Sequence, residues 1–168
     1  QASARAAGEI VGFHSLSFLS FPDNAFDSVP LLEITMAVEK VLTELKPDTI
    51  YTHHEYDLNV DHRLAFQAVL TASRPCNDNA PREILTFETL SSTEWQSKDH
   101  KIFLPNVYVN IESSIDKKIE ALCKYNSEMR PYPHSRSEEG IRILAQYRGL
   151  ESNLRCAEAF HLVRKIGS

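Results

Sequence analysis

The spacing of apolar positions divides the chain into alternating helical and extended segments. Apolar residues recur close to the 3.6-residue helical period from Leu31 to Leu45, and Pro47 ends that helix. A short run without polar alternation follows at 49–52, as expected for a strand that is covered on both faces. The same criteria predict helices at 2–10, 31–45, 60–73, 113–129 and 137–149, and strands at 14–21, 49–52, 82–89, 107–111 and 159–166.

This order of elements predicts an α/β fold built on a mostly parallel sheet. The chain has 168 residues, which is the length of one domain, so we expect a single domain over 1–168. Binding sites in such folds lie beyond the carboxyl ends of the strands. We therefore expect the binding or catalytic site in the segment that follows strand 49–52.

Composition narrows the class of protein. Apolar residues make up 42% and charged residues 24% of the chain, which is typical of a folded globular protein. The net charge of −5 and the lack of a basic tract argue against a nucleic-acid partner. No apolar run approaches the roughly 18 residues of a transmembrane segment. The three cysteines form no CxxC pair and their number is odd, which favours a reducing, cytoplasmic location.

Ligand-type side chains are concentrated directly after strand 49–52, at the entry to the next helix. Imidazole and carboxylate are the groups that hold a catalytic zinc or a similar divalent ion. Because Asp61 and His62 are adjacent, they cannot point the same way on a regular helix, so one can ligate while the other orients a neighbour. The ten-residue stretch contains three histidines and two aspartates: His53, His54, Asp57, Asp61 and His62.

A simpler interpretation of the same stretch is open on the residues alone. Aspartate and asparagine side chains cap helices well, and the two adjacent histidines, His53 and His54, can be ordinary hydrogen-bonded loop residues. In this interpretation the polar residues serve only to begin the following helix: Asp57, Asn59 and Asp61.

Segment 52–63 resembles the second motif of the LmbE-like de-N-acetylases, the family of the N-acetylglucosaminyl-phosphatidylinositol (PIG-L) de-N-acetylase. Flanking segments are similar to the family as well, and they follow in the same order along the chain. The resemblance therefore extends over essentially the whole sequence. The similar flanking segments are 18–23, 74–75, 87–88, 91–95, 130–134, 148–149 and 157–160.

The resemblance implies a Rossmann-like, three-layer α/β/α fold and a zinc-dependent amidohydrolase. Its substrate would be an N-acetylated sugar, namely an N-acetylglucosamine-type conjugate. The last histidine of the family's second motif ligates the metal, which corresponds to His62, and the acid before it, Asp61, orients catalytic groups. Some members carry an oxyanion-stabilising histidine where this chain has Asn59, whose amide can still donate a hydrogen bond.

Four further residues complete the predicted site. His134 is assigned a catalytic role in the sugar pocket or in proton transfer, with an ordinary surface-loop histidine as the alternative. Arg63, His54 and Asp57 are assigned to substrate binding. For Arg63 the alternative is a solvated side chain or one paired with a nearby carboxylate.

One feature of the family has no counterpart in this chain. The family's first motif, a Pro-His-Pro-Asp-Asp-Glu-like stretch that supplies two more ligands and the general base, does not occur in residues 1–30. We therefore expect an N-terminally incomplete deacetylase domain that lacks its first strand or strands and has little activity alone.

Two other classes of protein compete with the enzyme. One is a truncated or degenerate family member that binds a carbohydrate or a partner protein without catalysis. The other is a plain nucleotide-binding domain, which is disfavoured because no GxGxxG occurs and only five glycines are present. The sequence leaves open whether the protein is an oligomer.

Overall fold

The computed structural model describes residues 1–77, 80–99 and 101–167. The described residues form an α/β fold, which confirms the predicted class. Its helices are α1 (Ala2–Val11), α2 (Leu31–Leu45), α3 (Val60–Ala72), α4 (Ile115–Leu122) and α5 (Glu138–Ser152). Its strands are β1 (Thr49–His53), β2 (Glu83–Phe87), β3 (Val107–Asn110) and β4 (Ala157–Lys165).

The chain divides into two compact units, and the predicted single domain over 1–168 stays a prediction. The first unit combines Gln1–Leu19 with Tyr108–Ala159, and the second combines Ser20–Val107 with Phe160–Ser168. In the first unit, α1 packs against α4, and α4 packs against α5. Its buried apolar side chains come from these helices, from the strand residues Ala157 and Ala159, and from Ile111 after β3.

Within the described ranges the strands form one sheet in the order β1-β2-β4-β3. β1 and β2 are parallel, with His53 opposite Phe87. β4 runs antiparallel to β2, with Phe160 opposite Phe87. Backbone hydrogen bonds from Asn106 to Phe160 and from Ile111 to Cys156 give β3 and β4 opposite directions as well.

The predicted mostly parallel sheet is therefore wrong. Only β1 and β2 are joined by a single crossover helix, α3, which is the connection that makes neighbouring strands parallel. The longer connection between β2 and β4 returns the chain to the sheet from the opposite end. A strand's composition records its burial but not the end from which the chain enters it, so the sequence pattern missed this reversal.

The predicted elements are mostly confirmed, with α2 matching its predicted bounds. α1 ends at Gly12, whose φ of 90° is the left-handed conformation that favours glycine. The strand predicted at 14–21 is wrong, because that segment has no strand and Ser20 turns the backbone at a φ of 57°. α4 is shorter than predicted, because tighter three-residue turns follow Leu122.

Packing in the second unit positions the polar segment between β1 and α3. α3 packs against both α2 and β1. Ile34 of α2, Phe66 of α3 and Ile84 of β2 are buried apolar side chains of this unit. Because α3 lies against β1, its amino end and the carboxyl end of β1 flank the polar connection 54–59.

Two further features concern membrane-spanning helices and the cysteines. Of the helices that the structure describes, none is both long and apolar enough for a membrane crossing. The three cysteines, Cys76, Cys123 and Cys156, are free thiols.

Candidate functional site

Asp57 is the centre of the candidate site and its side chain is fully buried. Its Oδ1 accepts the backbone N–H of Asn59 at 3.0 Å and lies 3.0 Å from Nδ1 of His62. The Ser92 hydroxyl also donates to Oδ1, and the Thr93 hydroxyl donates to Oδ2 at 2.6 Å. Four polar groups therefore surround one buried carboxylate, which satisfies its acceptor capacity.

This environment keeps Asp57 ionised. Burial by itself raises the pKa of Asp57, because it disfavours the charged form. The hydrogen bonds from His62, Ser92 and Thr93, together with the Asn59 N–H, outweigh burial and hold that pKa well below its usual value. An ionised carboxylate has no hydrogen to donate, so Nδ1 of His62 is the donor. The other ring nitrogen, Nε2, then carries the lone pair in the neutral ring.

His53 forms the second layer of the site. Its ring stacks on the His62 ring, with centroids 3.8 Å apart and planes within 4° of parallel. The centroid of the Phe87 ring lies 4.8 Å from that of His53, and the Thr89 hydroxyl lies 3.5 Å from the His53 Nδ1. Burial, followed by the neighbouring His62, lowers the pKa of His53 to about 4, although Asp57 opposes the shift. His53 is therefore neutral at physiological pH.

The residue pattern alone assigns no role to His53, Ser92 or Thr93. Because β1 and β2 are parallel neighbours, the segments that follow them emerge at the same edge of the sheet. Two consecutive hydroxyl residues shortly after β2 were therefore the signal that could have identified Ser92 and Thr93 beside Asp57. A hydroxyl pair is common in turns, so the signal carries weight only once the two strands are known to be adjacent.

Asn59 and Asp61 tie the start of α3 to segment 24–26. Asn59 is the N-cap of α3, and its Oδ1 accepts the Asp61 N–H at 2.8 Å. The Asn59 amide also donates to Oδ1 of Asn24 at 3.1 Å. The Asp61 carboxylate accepts the N–H groups of Asn24 at 2.7 Å and of Phe26 at 2.9 Å. The Asn59–Asp61 bond is the one that the capping interpretation expects, whereas the Asp61 carboxylate binds segment 24–26 and does not cap α3. The predicted catalytic roles of both residues stay predictions.

Arg63 and His54 hold the connection between β1 and α3. Arg63 Nη1 donates to the carbonyl oxygens of Asp57 and Leu58, each at 2.7 Å. His54 is buried, with Nε2 3.4 Å from the carbonyl oxygen of Lys101. Their predicted part in substrate binding, like that of Asp57, stays a prediction.

His134 belongs to the first unit, whereas the predicted site residues from His54 to Arg63 belong to the second. It lies in the turn before α5, where its Nδ1 accepts the N–H of Arg136 at 3.0 Å. Its backbone N–H donates to the carbonyl oxygen of Pro131 at 3.1 Å. Its predicted catalytic role stays a prediction.

The fit of a zinc ion to these residues is incomplete. A catalytic zinc site takes three protein ligands and leaves one position open. His62 has the right chemistry for one ligand, since Asp57 holds Nδ1 and the side chain is 19% exposed. Asp61 is engaged with two backbone N–H groups. Across 1–77, 80–99 and 101–167, no group of three or more His, Cys, Asp or Glu side chains is arranged to hold a metal ion.

Comparison with known families confirms the resemblance seen in the sequence. A family model described as PIG-L, the GlcNAc-PI de-N-acetylase, matches residues 1–73. The matched range includes β1, the Asp57 carboxylate and all of α3. No functionally curated protein matches the chain.

Three solved structures share the fold. The conserved protein TT1542 from Thermus thermophilus is 20% identical with a TM-score of 0.74, over 99% of this chain and 73% of its own. GalB, the 4-carboxy-2-hydroxymuconate hydratase from Pseudomonas putida KT2440, is 20% identical with a TM-score of 0.76, over 99% and 72%. The N,N'-diacetylchitobiose deacetylase from Pyrococcus horikoshii, complexed with its inhibitor MPG, is 20% identical with a TM-score of 0.71, over 96% and 62%.

Proposed function

We propose that this chain, which matches the GlcNAc-PI de-N-acetylase family over residues 1–73, is a metal-dependent de-N-acetylase. Its proposed substrate is a small N-acetylglucosamine-type conjugate. The observation that carries the proposal is His62, which lies within the matched residues 1–73 and is oriented by the buried carboxylate of Asp57. The fold alone does not decide the reaction, because the hydratase GalB shares it.

His62 has the central role in this proposal. With Nδ1 directed to Asp57, its Nε2 has a lone pair for a divalent ion, and zinc is the ion that the family implies. Zinc would supply Lewis-acid chemistry at the acetamide carbonyl. Further ligands must join His62, because no three-ligand group occurs in the described part of the chain.

The remaining proposed roles concern orientation and binding. The Asn59 amide has one N–H beyond the bond to Asn24, and we assign that hydrogen to the oxyanion. Asp61 orients groups near His62 by fixing the backbone of segment 24–26. Arg63, His54 and Asp57 are assigned to substrate binding and His134 to catalysis, as the family resemblance implies.

The cellular setting and the wider fold are proposals of the same kind. A cytoplasmic location is supported by the three free thiols. The Rossmann-like, three-layer arrangement, with one or more additional N-terminal strands, is supported by the family match and by the deacetylase that shares the fold.

A His62→Ala comparison tests the proposed function in the complete natural gene product, whatever its length. We expect that product to release acetate from N-acetylglucosamine conjugates, and the His62→Ala variant to lose nearly all turnover and most bound metal. His14→Ala is the matched control, because His14 is an exposed histidine of the first unit. Its turnover should equal that of the unsubstituted protein.

Two results would contradict the proposal. Full metal content and near-normal turnover in His62→Ala would remove this motif from the active site. Failure of the complete gene product to release acetate from any such conjugate would favour the alternative, a family member that binds carbohydrate or a partner without catalysis.

A further inference from the structure

We infer that Ser92 and Thr93 are positioning residues for His62, because their hydroxyls clamp the Asp57 carboxylate in the orientation that receives the His62 Nδ1–H. The inference concerns the orientation of one imidazole. It rests on the proposed function only for its consequence on catalysis.

Asp57 needs such a clamp because its own rotamer does not fix its carboxylate. The terminal torsion of an aspartate is broad, so the plane of the two oxygens is set by the groups that donate to them. Thr93 donates to Oδ2, while Ser92 donates to Oδ1, the oxygen that faces His62. Donors on both oxygens stop the carboxylate from rotating.

The clamp is itself held by backbone contacts of its turn. The Thr89 N–H donates to the Thr93 hydroxyl oxygen at 2.7 Å, so the Thr93 hydroxyl hydrogen is left for Asp57. The Ser92 N–H donates to the Thr89 carbonyl oxygen at 3.1 Å and approaches the Glu94 carboxylate at 3.2 Å. These contacts hold the Thr93 hydroxyl and the Ser92 backbone beside the carboxylate.

Burial shows that both residues act through Asp57. Ser92 is 4% and Thr93 7% exposed, and Asp57 is fully buried. Both hydroxyl residues are therefore buried, whereas the His62 side chain is 19% exposed. The turn after β2 therefore positions the two hydroxyls, the hydroxyls orient the Asp57 carboxylate, and the carboxylate orients the His62 ring.

The consequence is a single tautomer of His62. Asp57 in this orientation favours the neutral ring with hydrogen on Nδ1 and the lone pair on Nε2. With the clamp removed, the carboxylate can turn, and the ring can carry its hydrogen on either nitrogen.

Nuclear magnetic resonance of 15N-histidine in the 168-residue chain tests this directly. At alkaline pH, where imidazole is neutral, long-range proton–nitrogen correlations distinguish the two tautomers, and His62→Ala identifies the His62 signals. We expect the Nδ1–H form alone in the unsubstituted chain and a mixture of both forms in Thr93→Val and in Ser92→Ala. Thr93→Ser retains a hydroxyl and should restore the single tautomer.

Thr86→Val is the matched control. Thr86 is also a buried threonine of the second unit, but its hydroxyl has no hydrogen-bond partner among the described residues. The substitution has the same change of shape as Thr93→Val and should leave the His62 tautomer unchanged. In the complete gene product, Thr93→Val should lower kcat by about 10–100-fold with little change in KM.

The outcomes separate this inference from the proposed function. A His62 ring that keeps the Nδ1–H form alone in both folded single variants overturns the inference, as does an equal tautomer change in Thr86→Val. If Thr93→Val and Ser92→Ala show a tautomer mixture but the complete gene product releases no acetate, the clamp is supported and the de-N-acetylase proposal is contradicted.

Discussion

At the scale of single residues, the half-buried imidazole of His53 makes stability depend on pH. Its pKa is about 4 in the folded protein against 6.5 for the free side chain. Between these values the unfolded chain binds more protons, so the free energy of unfolding rises with pH. We expect this contribution to be complete above about pH 6.5 and to be lost as the pH falls toward 4. Urea denaturation across this range measures it.

His53→Gln should flatten that part of the pH profile. Glutamine has no titrating group, so the difference between folded and unfolded states at this position disappears. His14→Gln, at an exposed position, should leave the slope unchanged. An equally steep profile in His53→Gln would assign the acid sensitivity to other groups, of which the buried His54, whose pKa burial also lowers, is the first candidate.

The sequence predicted the identity of the central residues better than their contacts. Asp57 and His62 were both predicted to be site residues, but their hydrogen bond was not. The two residues are five positions apart, and the irregular backbone after Asp57 gives that spacing no fixed geometry. Ser92 and Thr93 lie 35 and 36 positions from Asp57. Only the parallel pairing of β1 with β2 brings these segments together, and a residue pattern does not state which strands pair.

At the scale of elements, the amino end of α3 allows capping to be separated from catalysis. Asn59 accepts the Asp61 N–H through Oδ1 and donates through its amide. Asn59→Ala removes both functions and should cost about 1 kcal/mol of stability. Asn59→Ser keeps a capping oxygen without the amide donor, so its stability should stay close to that of the unsubstituted protein.

If the amide stabilises the oxyanion, kcat of the complete gene product should fall in both Asn59 variants, with a smaller change in KM. Thermal denaturation and steady-state kinetics on an N-acetylglucosamine conjugate provide the two measurements. A serine variant with unchanged kcat would leave Asn59 as a helix cap alone.

The Asp61 carboxylate connects α3 to segment 24–26, so substitution of Asp61 should change the hydrogen exchange of that segment. Asp61→Asn replaces one acceptor oxygen with an NH2 group that faces a backbone N–H, either of Asn24 or of Phe26. We expect faster hydrogen exchange at those two amides, unchanged exchange along β1, and a rate of turnover lower by about 10–100-fold. Unchanged exchange at Asn24 and Phe26 would show that the carboxylate does not hold this segment.

Element prediction succeeded for α2 and failed for segment 14–21. α2 has a regular apolar face and ends next to a proline, and its bounds were predicted correctly. Segment 14–21 alternates like a strand, but it has no place in the sheet. Alternation shows that a segment has two unlike faces, and this occurs in irregular extended backbone as well as in strands.

At the scale of the whole molecule, the family match and the fold carry different information. The match over residues 1–73 covers the polar connection between β1 and α3, where the proposed site lies. The fold extends over nearly the whole chain, yet it is shared by a hydratase and a deacetylase. The proposed reaction therefore depends on a few side chains. Its requirement for a metal can be tested directly, by measuring how tightly the chain binds zinc.

We expect the 168-residue chain to bind zinc weakly. Tight binding needs three protein ligands, and the described residues form no three-ligand group around Nε2 of His62. After loading with zinc and exhaustive dialysis, elemental analysis should find far less than one equivalent, and His62→Ala should remove most of what remains. His14→Ala should leave the content unchanged. One firmly retained equivalent that depends on His62 would mean that this chain completes the site itself, and the prediction of a chain with little activity would then be wrong as well.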